Sequence, residues 1–154
     1  TFARMGAGDR DDAYGLFLAF LQTDEHYLDS STAYGDGGPE ALRRAMDLFI
    51  ERPDLGFVWM ARRGGEVVGC CVACYAISTS RGTLVAKLDD VNVRPGLEGQ
   101  GIGSAMLDSL KAELRGAGVT RIDTATHVDN QGARRFYERH GFAELREERL
   151  SCLL

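Results

Sequence analysis

Proline, tryptophan and histidine are all scarce here: the 154 residues include three prolines, one tryptophan and three histidines. So few imidazoles leave little from which to build a metal centre. Cysteine does not supply the rest. Cys71-x-x-Cys74 has metal or redox spacing, yet no histidine or second pair lies within sequence reach, and the pair sits in residues 67–76, a run of small apolar residues that reads as a buried strand. Buried structural thiols are therefore expected, and with them a reducing cytoplasm. No uncharged apolar run reaches the roughly 18 residues of a membrane span, and no leader-peptide pattern precedes Asp9. Basic residues are outnumbered 18 to 23, giving a net charge of −5, which argues against non-specific nucleic-acid binding and favours a cationic acceptor such as an amine.

What is present is enough for one full core. With 44% hydrophobic residues over this length, residues 1–154 are expected to form a single domain. The periodicity predicts a short strand at 2–5, a helix over 9–22 and a helix over 39–51 with Pro39 near its start and Pro53 beyond its end. Residues 29–39, rich in Ser, Gly and Asp, read as a mobile loop of the kind in which acceptor specificity resides. Strands follow at 57–62, 66–77 and 83–93, with glycine-containing turns at 63–65 and 80–82. A helix over 101–115, a strand over 121–128, a helix over 130–140 and a last strand over 144–153 complete the order. Hairpins followed by alternation predict an α/β fold with a single mixed sheet, an antiparallel N-terminal meander plus a β-α-β-α-β C-terminal half, and helices on both faces.

The densest signal lies between the strand ending at Val93 and the helix opening near Gly101. Gly99, Gly101 and Gly103 alternate there, removing the Cβ atoms that would hold a phosphate off the main chain, while the helix start aims unpaired N–H groups at the same point. A pyrophosphate is the expected guest. No lysine occurs between Lys87 and Lys111, which excludes a Walker loop. A dinucleotide fingerprint starting at Gly101 would need glycine or alanine where Met106 stands, although Asp123 is suitably placed for a ribose. That fit is partial.

Downstream, residues 130–142 read Asn-Gln-Gly-Ala-Arg-Arg-Phe-Tyr-Glu-Arg-His-Gly-Phe, a helix capped by Asn130 or Asp129 and stopped by Gly141. Together the two segments resemble the GNAT superfamily of acyl-CoA-dependent N-acetyltransferases. Its pyrophosphate loop runs Arg/Gln-x-x-Gly-x-Gly/Ala, and its later helix Asn-x-x-Ala-x-x-Phe-Tyr-x-x-x-Gly-Phe. Asn130, Ala133, Phe136, Tyr137, Gly141 and Phe142 match the second pattern. In the first, the frame that uses Gly101 and Gly103 puts Glu98 where the family has Arg or Gln; the frame starting at Gln100 fits literally but begins two residues late. The first frame keeps Val93, Pro95, Ile102 and Leu107 in family positions. A carboxylate at 98 must point to solvent or pair with a cation such as Arg94.

The resemblance implies acetyl-CoA as co-substrate, held by Glu98, Gly99, Gln100, Gly101, Ile102, Gly103 and Ser104, with Asn130 and Ala133 near the pantetheine. It implies that strands 83–93 and 121–128 splay, so that main-chain groups of Val91 and Val93 pair with the pantetheine arm. It allows a homodimer and requires no metal. Attack by a neutral amine on a thioester needs one proton removed and one returned to the thiolate. Tyr137 is the expected general acid, since a phenol can protonate a leaving thiolate. Asp89 or Asp90 is the expected base, strand alternation sending one to each face, with His127 a second option. Direct transfer to a primary amine in a ternary complex is the reading, and a non-catalytic acyl-CoA binding or sensing domain the alternative.

Overall fold

The computed structural model describes the backbone of residues 1–154 and the side chains of all but residues 30–34. Five strands, β1 (Phe2–Arg4), β2 (Gly56–Arg63), β3 (Glu66–Ser78), β4 (Thr83–Val93) and β5 (Val119–Thr124), form one sheet in chain order. β1 to β4 pair antiparallel, and β5 lies parallel to β4. The linkers dictate this. Gly64-Gly65 folds β3 straight back on β2, with Arg63 opposite Glu66, whereas β4 reaches β5 through a helical crossover, as a parallel pair requires.

The helices are α1 (Arg10–Thr23), α2 (Glu25–Tyr34), α3 (Gly38–Glu51), α4 (Ile102–Gly116) and α5 (Gln131–Arg139). In α4, Met106, Leu107, Leu110 and Leu114 fall on one stripe and are buried on Trp59, Cys71, Ala73, Ala86 and Leu88, with Phe136 and Tyr137 of α5 against the same cluster. The other face of the sheet holds Val58, Met60, Val67, Cys70 and Val72 beneath Ala13, Leu16 and Phe17 of α1 and Met46 of α3. The continuous apolar runs of β2 and β3 are what a strand covered on both faces needs. The expected α/β fold, one mixed sheet with helices on both faces, is the observed one.

Four expectations are corrected. The first half of the stretch read as a loop is α2, because Asp24 caps it: its Oδ1 accepts the Tyr27 N–H at 2.8 Å, and its carbonyl accepts the Leu28 N–H at 3.0 Å. A capped turn adjoining α1 outweighs the weak helix propensity of Ser-Ser-Thr. Whether the side chains of 30–34 bear on acceptor choice lies outside the described residues. The final strand is absent: residues 142–154 form no strand. Glu144, Arg146, Glu147, Glu148 and Arg149 leave Leu145 the sole apolar residue between positions 144 and 149, so there is no alternating face to bury there, and Leu145 and Leu150 are both exposed. β5 begins and ends earlier than residues 121–128. Of the four free cysteines, Cys70 and Cys71 are buried as expected, while Cys74 is half-buried and Cys152, in the irregular tail, is exposed.

Candidate active site

β4 and β5 pair only as far as Leu88 and Thr124. Beyond that pair the two chains part, and the fork coincides with a bulge in β4. Cys70 lies opposite Asn92 and Val72 opposite Asp89, so Asp90 and Val91 together face Cys71. Asp90 has φ = 54°, alone among the described non-glycine residues in having a positive φ, a conformation that surrounding structure must hold in place. Alternation does not continue through such a residue. Leu88 and Val91 both belong to the α4-side core, and Asp90 is the inserted residue between the two faces. The simple expectation of one aspartate on each face is corrected accordingly.

The two aspartates differ in company. Asp89 is paired with Lys87 at 2.9 Å. The Asp90 carboxylate has neither hydrogen bond nor ion pair with any described residue, and burial, reinforced by the nearby Asp89 charge and opposed by Lys87, pushes its pKa up to about 6. Tyr137 stands at the same fork. Its hydroxyl lies near Thr124, the last paired residue of β5, whose Oγ1 donates to the Leu88 carbonyl at 2.8 Å. Burial, with Asp89 and Asp90 adding to it and Thr124 opposing it, raises the phenol to about 12. It therefore holds its proton at any ordinary pH. Phe136 and Phe142 fix the ring, with centroids 5.3 and 5.2 Å away.

The glycine loop forms the second part of the site. Gly99 and Gly101 take φ values of 74° and 82°, and a Cβ built on either meets nothing within 4 Å. Both thus face open space with their main chain uncovered, Gly101 directly caps α4, and no acidic residue occupies the first turn of that helix. These features fit a pyrophosphate. Ile102 opens the helix and leans on the core; Gly103 packs beneath Phe136 at 3.6 Å, measured to a built Cβ. Glu98 is not paired with Arg94. Its Oε2 accepts the Gly96 N–H at 2.7 Å, while Arg94 donates to Glu66 at 3.4 Å and to the Val67 carbonyl at 2.6 Å. Gln100 Oε1 accepts from Arg63 at 3.0 Å, and Ser104 Oγ is 3.0 Å from His140 Nε2, which joins the cradle to the end of α5. Asn130 caps α5 as expected, accepting the Ala133 N–H at 3.0 Å; that N–H is thereby engaged within the helix. Val91 and Val93 line the open stretch of β4 beyond the last β5 pair.

His127 lies outside this constellation. Its Nδ1 accepts the Asp129 N–H at 3.1 Å, which leaves the proton on Nε2, 2.5 Å from Asp29 Oδ2. With both nitrogens engaged it ties α2 to the chain after β5 and has no lone pair free for an amine. On the α1 side of β4, a cavity of about 220 Å³ is lined by Phe20, Thr23, Asp24, Asn92, Val93 and Glu98 among others. A shallower groove of about 560 Å³ lies between Arg4 and the far end of α4 and contains none of the predicted site residues. Among the described residues no His/Cys/Asp/Glu cluster could hold a metal ion, and no helix is long and apolar enough to cross a membrane. Sequence reasoning missed Thr124, Asn92 and the α2 contribution of Asp29; only Asn92 left a trace, as a polar residue interrupting an apolar strand end.

The family model described as Acetyltransferase (GNAT) family matches residues 20–142. An aminoalkylphosphonate N-acetyltransferase of Salmonella typhimurium is 26% identical over 136 residues, 88% of this chain and 80% of its own. An IAA acetyltransferase of Azospirillum brasilense is 32% identical over 111 residues, 71% of this chain and 69% of its own. Among solved structures, a probable acetyltransferase matches all of this chain and 97% of its own with a TM-score of 0.81 at 22% identity, a likeness of fold.

Proposed function

The chain belongs to the GNAT acetyltransferase family, and from that premise we propose that it transfers an acetyl group from acetyl-CoA to a primary amine by direct attack in a ternary complex, with Tyr137 as general acid and Asp90 as general base. The observation that carries this reading is that a buried Tyr137 and an Asp90 carboxylate with no partner among the described residues both lie by the fork where β4 leaves β5. Acetyl-CoA, when bound, supplies the thioester carbonyl that the amine attacks and the thiolate that leaves. Gly99, Gly101 and the first turn of α4 bind its pyrophosphate through main-chain N–H groups, and Val91 and Val93 offer main chain to the pantetheine arm. Asp90 takes the proton from the acceptor nitrogen, directly or through one water. Tyr137 returns a proton to the sulfur. The choice of Asp90 over Asp89 follows from their partners: Lys87 already engages Asp89.

An acyl-cysteine route is disfavoured. Burial, the Asp90 charge adding to it, raises Cys70 to about 12, and the same desolvation raises Cys71 and Cys74, so none is an activated thiolate. The free thiols suit a reducing cytoplasm, which we take as the compartment. The Salmonella relative's name specifies an aminoalkylphosphonate, but Asp89 and Asp90 at the fork argue for a neutral or cationic amine here over an anionic one.

Initial rates over a matrix of acetyl-CoA and amine (putrescine, phenethylamine and 2-aminoethylphosphonate) test the reading. Intersecting lines are expected with the first two amines; parallel lines would overturn direct transfer. Tight acetyl-CoA binding with no turnover of any amine would favour a sensing domain. A further consequence concerns pH. Asp90 must be ionised to act, so kcat/KM rises with pH through about 6 and is lost below it. Asp90→Asn, which tolerates the left-handed backbone, removes that limb and lowers kcat by about 10²-fold or more; a full-rate Asp90→Asn enzyme would remove Asp90 from the mechanism.

A further inference from the structure

Asn92 is one of two buried polar residues among those described, at 7% exposure, and a buried amide persists where its hydrogen bonds are made. Its Nδ2 donates to the Asp90 carbonyl at 2.9 Å and to the Cys70 carbonyl at 3.3 Å. It also lies 3.6 Å from Cys70 Sγ, whose thiol points back at Asn92 Oδ1 from 3.9 Å. The two carbonyls belong to opposite strands and flank the bulge. A regular ladder would satisfy such groups from the partner strand; with two residues set against one, the ladder is locally broken. The Asn92 amide stands in for it, tying the inserted residue on β4 to β3.

The consequence reaches the fork. Without the insertion, strand alternation after Leu88 and Asp89 would return residue 90 to the α4 face and bury its carboxylate in the apolar core. Instead Val91 fills that place, and Asp90 takes the left-handed turn. An unclamped bulge can slip by one residue and exchange the two.

We propose that Asn92 is a positioning residue: its buried amide clamps the β4 bulge and so fixes where the Asp90 carboxylate stands at the fork. The proposal deepens the reading of Asp90 as the base and rests on it for its effect on turnover, but not for its effect on the backbone. A glycine at 90 adopts a positive φ without strain, so the clamp should matter less there.

The test is a thermal and kinetic comparison of Asn92→Ala, alone and in an Asp90→Gly background, with Asn92→Ser run in parallel in case the alanine variant does not fold. Asn92→Ala is expected to lower Tm by about 4 °C or more in the wild-type background, and by less than half as much beside Asp90→Gly. It is expected to lower kcat by about 10- to 100-fold while the KM for acetyl-CoA stays within about twofold. Equal Tm losses in both backgrounds would show that Asn92 merely fills space and would overturn the clamp, as would an Asn92→Ala enzyme with undiminished kcat when Asp90→Asn does impair turnover. Should Asp90→Asn keep full activity, the base reading fails by itself, and the Tm comparison still decides the clamp.

Discussion

Tyr137→Phe lowers kcat by about 10²- to 10³-fold, the usual worth of a positioned general acid, and leaves acetyl-CoA affinity within about twofold. The variant deletes one oxygen and keeps the ring. Tyr137 packs edge-on to Phe136 and Phe142 at centroid distances of 5.3 and 5.2 Å, contacts that phenylalanine reproduces, so the fold and the wall of the fork survive. What disappears is a proton donor that burial keeps protonated, with a pKa near 12, beside the last β4–β5 pair. The leaving thiolate must then draw its proton from water. Steady-state kcat at saturating acetyl-CoA, with calorimetric affinity measured on the same preparation, separates the two effects. An unchanged kcat would assign Tyr137 to the core alone.

The second large effect is on cofactor binding. Gly101→Val weakens acetyl-CoA binding by about 100-fold, since each hydrogen bond between main chain and a charged phosphate is worth about 1.5–3 kcal/mol and the substitution disturbs more than one. Gly101 caps α4 with φ = 82°, a region closed to a β-branched side chain except at a cost of about 1–2 kcal/mol. Nothing lies within 4 Å of a Cβ at this position, so the loss comes from the backbone turning away and from methyl groups occupying the cradle, not from a clash with the core. Tm should therefore fall only modestly while the acetyl-CoA isotherm flattens. A valine variant that binds acetyl-CoA as tightly as the parent would mean that the loop does not hold the cofactor.

The five strands, four of the five helices and the glycine loop before α4 were legible because each rests on a local signal: the turns around Gly64 and Gly82, the apolar stripe from Met106 to Leu114, the cap at Asn130. The failures have separate causes. α2 depends on Asp24 and on the end of α1, and its own composition argued against a helix. The tail has strand length but lacks an apolar face. At the proposed site, Tyr137 and the loop follow from their patterns. Asp89 and Asp90 could not be told apart, since alternation assumes a regular strand and the bulge breaks it; the lysine that engages one and the desolvation that perturbs the other are visible only once β3 and α4 are packed around them. Glu98 looked like an obstacle to an anion. Its bond to the Gly96 N–H engages the carboxylate within its own turn and leaves Gly99 and Gly101 open.

Calorimetric titration with acetyl-CoA, free coenzyme A and NADH at moderate salt tests the central claim most directly. Acetyl-CoA binding in the micromolar range, with a weaker or similar coenzyme A response and a silent NADH trace, is the predicted result; an NADH isotherm with no response to acetyl-CoA would contradict it.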